Sequence, residues 1–228
     1  MRQQGETTWN GGELVPIRDK VFDYLKNAIL CGELRSGDRI VERDLAEKLQ
    51  ISRTPIREAL FRLESMGFVI TLPRKGVVVA DYSRNEIEEI FTILSALEGL
   101  AARLAAQKMD EETAKAFDTT IRKMMDLLEN GREEEFPRLH LEIHEQLYKA
   151  SKSPRLYELL IGLTDYIRAF AKVGHDIPGR WEKAVEEHRK IMETVRNGDA
   201  ELAEAMTKVH VENSMKAYKS AAAKANSG

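Results

Sequence analysis

The chain has 228 residues, 43% of them apolar and 32% charged, with 35 Lys and Arg against 38 Asp and Glu. It holds enough apolar material for one large or two modest cores, and its abundant Ala, Leu, Glu, Lys and Arg with only 6 prolines predict a mainly helical protein. No apolar run approaches the roughly 20 residues that cross a bilayer and no apolar signal core opens the chain, so a cytoplasmic location is expected. The single Cys31 excludes an internal disulfide and reads as a small packing residue at a helix end.

Residues 1–13 have no periodicity and are expected to form a mobile arm. Residues 14–80 read as one domain. Ile17, Val21, Leu25, Ala28 and Ile29 mark a first helix that stops near Gly32, and Ser36-Gly37-Asp38 is a turn. Glu42 or Asp44 opens a second helix through Leu45, Ala46 and Leu49, which Gln50-Ile51 breaks. Ser52 is then placed to cap a third helix, with Pro55 and Glu58 suited to its start. Ile56, Leu60 and Leu63 give that helix one apolar face and leave Arg53, Thr54, Arg57 and Arg62 outside it. This is the pattern of a helix-turn-helix whose second helix enters a major groove by its N-terminus. Two β-rich runs, Phe68–Leu72 and Val77–Ala80, flank Pro73-Arg74-Lys75-Gly76 and predict a hairpin with a basic tip.

Residues 81–222 read as an all-helical antiparallel bundle. Ser83 with Glu86 suggests a capping box opening a helix to about Gln107. Further helices are expected over about 110–129, 134–150, 153–173, 180–196 and 200–222, and residues 223–228 are expected to fray. Charge divides along the same line. Residues 1–80 hold 13 basic and 11 acidic side chains, against 22 and 27 in the remainder, and residues 51–80 alone hold five basic against two acidic. A local basic face attracts phosphate whatever the total charge.

Three stretches, Gly32-Glu-Leu-Arg-Ser-Gly-Asp-Arg-Ile40, Ile51-Ser-Arg-Thr-Pro-Ile-Arg-Glu-Ala-Leu60 and Arg62-Leu-Glu-Ser-Met-Gly67, resemble the GntR family of bacterial transcription regulators. The C-terminal part resembles its FadR-like subgroup, whose helical ligand-sensing domain is called FCD. The resemblance covers about residues 15–218. It implies a homodimer that binds a palindromic operator in double-stranded DNA and responds to a small metabolite. It further implies that Arg43, Arg53, Thr54 and Arg57 lie where family members contact DNA, with Arg74, Lys75 and Gly76 at the wing tip. The chemistry agrees. A guanidinium can bind guanine O6 and N7 in a bidentate pair, Arg53 and Arg57 are four residues apart on one face, and the Ser52 and Thr54 hydroxyls suit phosphate.

Four of the five histidines fall on inward faces of the helical part. His140 and His144 are one turn apart beside Phe136, Ile143 and Leu147; His188 follows Ala184 and precedes Ile191; His210 follows Met206. Burying four imidazoles calls for partners, and one divalent transition metal satisfies them together. The FCD resemblance also implies a metal, with an aspartate where this chain has His140. An all-nitrogen set points to zinc or nickel, or to cobalt or copper, ahead of magnesium or calcium. His140 either ligates the metal or lines the pocket.

The resemblance implies a small organic acid as effector. Many family members have an arginine four residues before the glutamate of the Leu97-Glu98 pair, where this chain has Leu94. Arg168 is a substitute anchor or a surface residue. Two other functions fit a histidine-rich bundle: a direct metal sensor, and a metal-dependent hydrolase or lyase. The second has no paired carboxylates, nucleophile motif or phosphate-binding glycine loop behind it, so no enzyme is expected.

Overall fold

The computed structural model describes residues 15–170, 177 and 179–225. The arm expected over 1–13, His175 and residues 226–228 lie outside the described residues. The chain divides into two compact units, the first ending at Ser83 and the second beginning at Arg84.

In the first unit, α1 (Ile17–Leu30) turns Val21, Leu25, Ala28 and Ile29 inward at helical spacing. Cys31 follows as its C-cap and is exposed, so it is not the packing residue its position suggested. Next come β1 (Arg39–Ile40), α2 (Glu42–Leu49) and α3 (Arg53–Ser65). The turn between α2 and α3 is made by Gln50 in the left-handed region at φ 54°. Pro55, Ile56, Ala59, Leu60 and Leu63 of α3 are buried, and α3 packs chiefly on α1. Ser52 occupies the N-cap position in extended conformation, yet its side chain makes no capping bond, and Glu58 falls in the second turn instead of the first. Its carboxylate instead approaches Arg18 at 3.7 Å.

Gly67, at φ 77°, ends α3 and turns the chain into β2 (Val69–Leu72) and β3 (Gly76–Val79). These strands form the expected hairpin, with Val69 opposite Val79 and Thr71 opposite Val77. Unforeseen was β1, which pairs antiparallel with β3 and puts Arg39 opposite Val78. The resulting sheet order is β1-β3-β2. Two residues are too few for an alternating pattern to be readable, and their strand character comes from the partner.

Among the described residues the second unit contains six long helices: α4 (Arg84–Lys108), α5 (Glu111–Glu129), α6 (Phe136–Ala150), α7 (Pro154–Phe170), α8 (Arg180–Arg196) and α9 (Ala200–Ala225). Their limits follow the expected ones within a few residues, and a 3-10 turn (Glu133–Glu135) precedes α6. Asp110 caps α5 by accepting a hydrogen bond from the Thr113 amide at 2.9 Å. Helices α4 and α9 lie antiparallel: Phe91 meets Tyr218 near one end, and Arg103 pairs with Glu204 at 2.9 Å near the other. Small residues allow this approach; a Cβ on Gly99 would lie 2.9 Å from Lys208 Cε. Phe136 stacks on Trp181 at 4.9 Å, tying α6 to α8. Three of the inward histidines therefore sit on α6 and α8, whose rings meet, and a fourth on α9 beside α8.

Candidate functional site

At the head of α3, Ser52, Arg53, Thr54 and Arg57 are all exposed on the side away from the buried Ile56–Leu60–Leu63 stripe. Arg57 is steadied from α2, its Nε donating to Glu42 Oε2 at 2.7 Å. Arg43, also on α2, donates to Asp44 at 3.3 Å and is exposed. Arg62 points elsewhere. Its guanidinium lies 3.9 Å from the Phe22 ring centre and bonds Asp19, so α1 has taken it as a packing element.

The hairpin tip is a tight turn closed by the Lys75 amide on the Leu72 carbonyl at 3.2 Å. Pro73 takes the second position of the turn and Arg74 the third, at φ 66°, a place that favours glycine. Gly76 follows at φ 78°, and a Cβ on it would lie 3.9 Å from the Arg39 guanidinium. Arg39 of β1 thus joins Arg74 and Lys75 at the wing. A left-handed arginine costs on the order of 1 kcal/mol. An Arg74→Gly variant is accordingly expected to unfold at higher denaturant while holding DNA less well. Equal stability in urea titrations of both proteins would contradict the strained turn.

In the helical unit the four histidines converge. One nitrogen from each of His140, His144, His188 and His210 lies within 4.8 Å of all the others. The His188 and His210 ring centres are 4.3 Å apart, those of His140 and His144 4.7 Å, and those of His140 and His188 4.9 Å. His144, His188 and His210 are buried and His140 is half-buried.

Two carboxylates hold this cluster from behind. His144 Nδ1 donates to Glu98 Oε1 at 2.9 Å, and His210 Nδ1 donates to Glu187 Oε2 at 2.7 Å. Each bond fixes the tautomer that leaves Nε2 as a lone-pair donor facing the other rings. Tyr148 Oη also donates to Glu98, and it bonds Thr164 of α7 at 3.0 Å. Glu187 is itself steadied by Asn213 at 2.8 Å and Arg180 at 3.5 Å. His188 Nε2 is buried without a hydrogen-bond partner.

Burial disfavours charge on His188 and His210. Burial, then the neighbouring His210, His144 and His140, push His188 well below the ordinary imidazole value. Burial also lowers His210, against the upward pull of Glu187. Burial alone would raise Glu98, but the His144 and His210 imidazoles and the Tyr148 hydroxyl outweigh it and hold the carboxyl below its usual range. The donor set fits a transition ion. Two opposite nitrogens at about 2.1 Å from such an ion are roughly 4.2 Å apart, close to the widest spacing here. An orphaned buried nitrogen is the kind of group an ion satisfies.

A cavity of about 130 Å³ adjoins the cluster. His140, His144, His210, Glu98 and Arg168 all border it, so the chain brings both expected pocket residues to the histidines. Their roles differ. Glu98 is 1% exposed and engaged with His144 and Tyr148, whereas Arg168 is exposed at the rim.

The model for bacterial regulatory proteins of the gntR family matches residues 17–79, and the FCD domain model matches residues 89–213. The chain belongs to the GntR family. The HTH-type transcriptional regulator YdhC of Bacillus subtilis is 31% identical over 196 residues, which cover 86% of this chain and 88% of YdhC. A relative in Paenarthrobacter nicotinovorans, named for repression of a D-xylose utilization operon, is 31% identical over 216 residues, covering 93% of this chain and 91% of its own. Among solved structures, Escherichia coli McbR/YncC superposes with a TM-score of 0.76 at 22% identity over 91% of this chain and 99% of McbR. A GntR regulator from Rhodococcus sp. RHA1 gives 0.70 at 20% identity, over 90% and 98%. These two likenesses show a shared fold. This GntR-family chain is therefore a DNA-binding transcription regulator with an FCD domain, in line with relatives that carry regulators' names.

Sequence reasoning missed four residues that the regulator places at its sites: Glu42, Arg39, Tyr148 and Glu187. Glu187 had a readable signal, since it directly precedes the inward His188. Tyr148 likewise follows the inward His144 by one turn and lies 3.5 Å from it, whereas Glu42 and Arg39 act through partners at least 15 residues away.

Proposed function

We propose that this regulator binds a palindromic operator as a homodimer and that a small organic acid, meeting a metal held by the four histidines, sets its affinity for DNA. Direct readout belongs to Arg53 and Arg57, phosphate contact to Ser52, Thr54 and Arg43, and wing contact to Arg74, Lys75 and Gly76. The observation that carries the proposal is the histidine cluster, four donor nitrogens mutually within 4.8 Å beside a cavity. His140, His144, His188 and His210 would hold a zinc or nickel ion, which supplies fixed positive charge and open positions for a carboxylate. His140 is assigned as a ligand because its ring lies as near His188 as that of His144 does, at 4.9 and 4.8 Å.

The other residues act by orientation. Glu98 and Glu187 point the Nε2 atoms of His144 and His210 inward, and Tyr148 ties Glu98 to α7. Removing such a carboxylate typically lowers metal affinity 10- to 100-fold. Glu187→Gln keeps the volume but can present an amide donor to His210, and it is expected to weaken metal affinity about tenfold with an unchanged helical circular dichroism. Competition with a chromophoric chelator measures this. Wild-type affinity in the variant would remove Glu187 from the assembly.

Operator binding by metal-loaded protein, followed by fluorescence anisotropy across a panel of organic acids, tests the whole reading. An acid that changes DNA affinity while the metal content stays constant supports it. DNA affinity that follows metal occupancy alone, with no acid effective, assigns the metal itself as the signal.

A further inference from the structure

We infer that the cavity beside the histidines takes a monocarboxylate with an apolar tail, in preference to a dicarboxylate or a sugar acid. This rests on the effector reading above and specifies its ligand. The cavity's apolar walls come from four helices: Phe91 and Leu94 of α4, Leu141 of α6, Ile167 of α7 and Val211 of α9. Leu94 and Phe91 precede Glu98 on one face of α4 by four and seven residues, which is about 6 and 10 Å along the axis. Moving away from Glu98 along α4, a ligand therefore meets mainly hydrocarbon, with the Ser214 hydroxyl of α9 also on the lining.

The polar groups gather at the other end. Glu98, His144, Tyr148 and Thr164 are joined by hydrogen bonds there, and His140 and His210 are in ring contact with His144. An anionic head finds at that end the Tyr148 and Thr164 hydroxyls and the ion that the histidines would hold; the rest of the lining offers the Ser214 hydroxyl, which accepts from Arg180 at 2.8 Å, and the exposed Arg168. Arg168 is the one Lys or Arg side chain bordering the cavity among the described residues, and it is exposed. A guanidinium in water offers a second carboxylate little beyond what solvent already gives it. Leu94 is 6% exposed, so a carboxylate or hydroxyl placed against it would lose hydration that the hydrocarbon there does not replace.

Size agrees with this class. An apolar cavity of about 150 Å³ holds a benzene molecule, so a space of about 130 Å³ suits a tail of roughly four to six carbons. Each methylene buried in such a wall raises affinity about fourfold.

The test is isothermal titration of the zinc-loaded full chain with butanoate, hexanoate, hexanedioate and gluconate. Hexanoate and hexanedioate have the same carbon count and differ by one terminal carboxylate. The expected result is that hexanoate binds at least tenfold more tightly than hexanedioate and about 15-fold more tightly than butanoate, with gluconate weakest. Leu94→Arg should reverse the hexanoate–hexanedioate order. A wild-type preference for hexanedioate or gluconate overturns the inference and leaves the effector reading standing. If no acid of any class binds the metal-loaded chain, the effector reading falls and the inference with it. Should Leu94→Arg misfold, Val211→Gln, expected to weaken hexanoate several-fold, takes its place, and unchanged hexanoate affinity there also overturns the inference.

Discussion

Replacing Arg57 with Ala is expected to reduce operator-specific binding roughly 10- to 100-fold while leaving weak non-specific binding nearly intact. A bidentate arginine–guanine pair discriminates by about 1–3 kcal/mol. In the free protein Arg57 is 66% exposed and paired with Glu42 at 2.7 Å. Exposed ion pairs of this kind contribute about 1 kcal/mol or less. On the proposed reading the exchange from Glu42 to a guanine would be favourable, with Glu42 holding the arginine until DNA arrives. Lys75→Ala should behave differently. It removes a point charge at the wing tip, weakening binding to all sequences alike and reducing the salt dependence by about one counterion. Anisotropy titrations on the operator and a scrambled duplex, each over a salt series, separate the two. Equal loss of specificity in both variants would refute the division of roles.

Stripping the metal is the second large effect. Protein purified without chelators should carry about one transition-metal ion per chain, and chelation should lower the melting temperature of the helical unit by about 10 °C. The size follows from mass action: an ion at a thousand times its dissociation constant stabilises the fold by about 4 kcal/mol, and each kcal/mol shifts the melting point of a domain this large by about 2–4 °C. His188→Ala should show the lowered melting point from the start, with no further fall on chelation. The metal-free chain should also be acid-sensitive. Burial holds His188 and His210 below the ordinary imidazole value, so below about pH 6.5 the folded chain binds fewer protons than the unfolded one. Stability present at pH 7 is then lost as pH falls toward 5, and bound metal opposes the loss down to the pH at which protons displace it. Native protein that is free of metal and melts unchanged with a chelator would end the metal proposal.

Much of this was legible in the linear chain because helical periodicity is a local property. The 3.6-residue spacing of Ile56, Leu60 and Leu63 fixes which way Arg53 and Arg57 face, and the four-residue gap between His140 and His144 puts both rings on one stripe. Glycine at a positive φ is equally local: Gly67 ends α3 where the apolar pattern stops. Local signals also misled. Cys31 ends an apolar pattern yet lies exposed, because the chain turns away into Gly32 at φ 76°. Ser52 has the right identity for a capping residue and makes no capping bond.

Facing, in short, needed no tertiary information, whereas partnership did. That Glu98 would engage His144 and Tyr148 depends on helices 50 residues apart meeting at one level. The pairing of Arg39–Ile40 with β3 and the return of Arg62 to Phe22 and Asp19 depend likewise on distant segments. A side chain's direction is set by its own few neighbours along the backbone, and amphipathic patterns record it. Which group waits opposite is set by the packing of whole helices, through energies spread over many contacts, and no short stretch of residues carries that information.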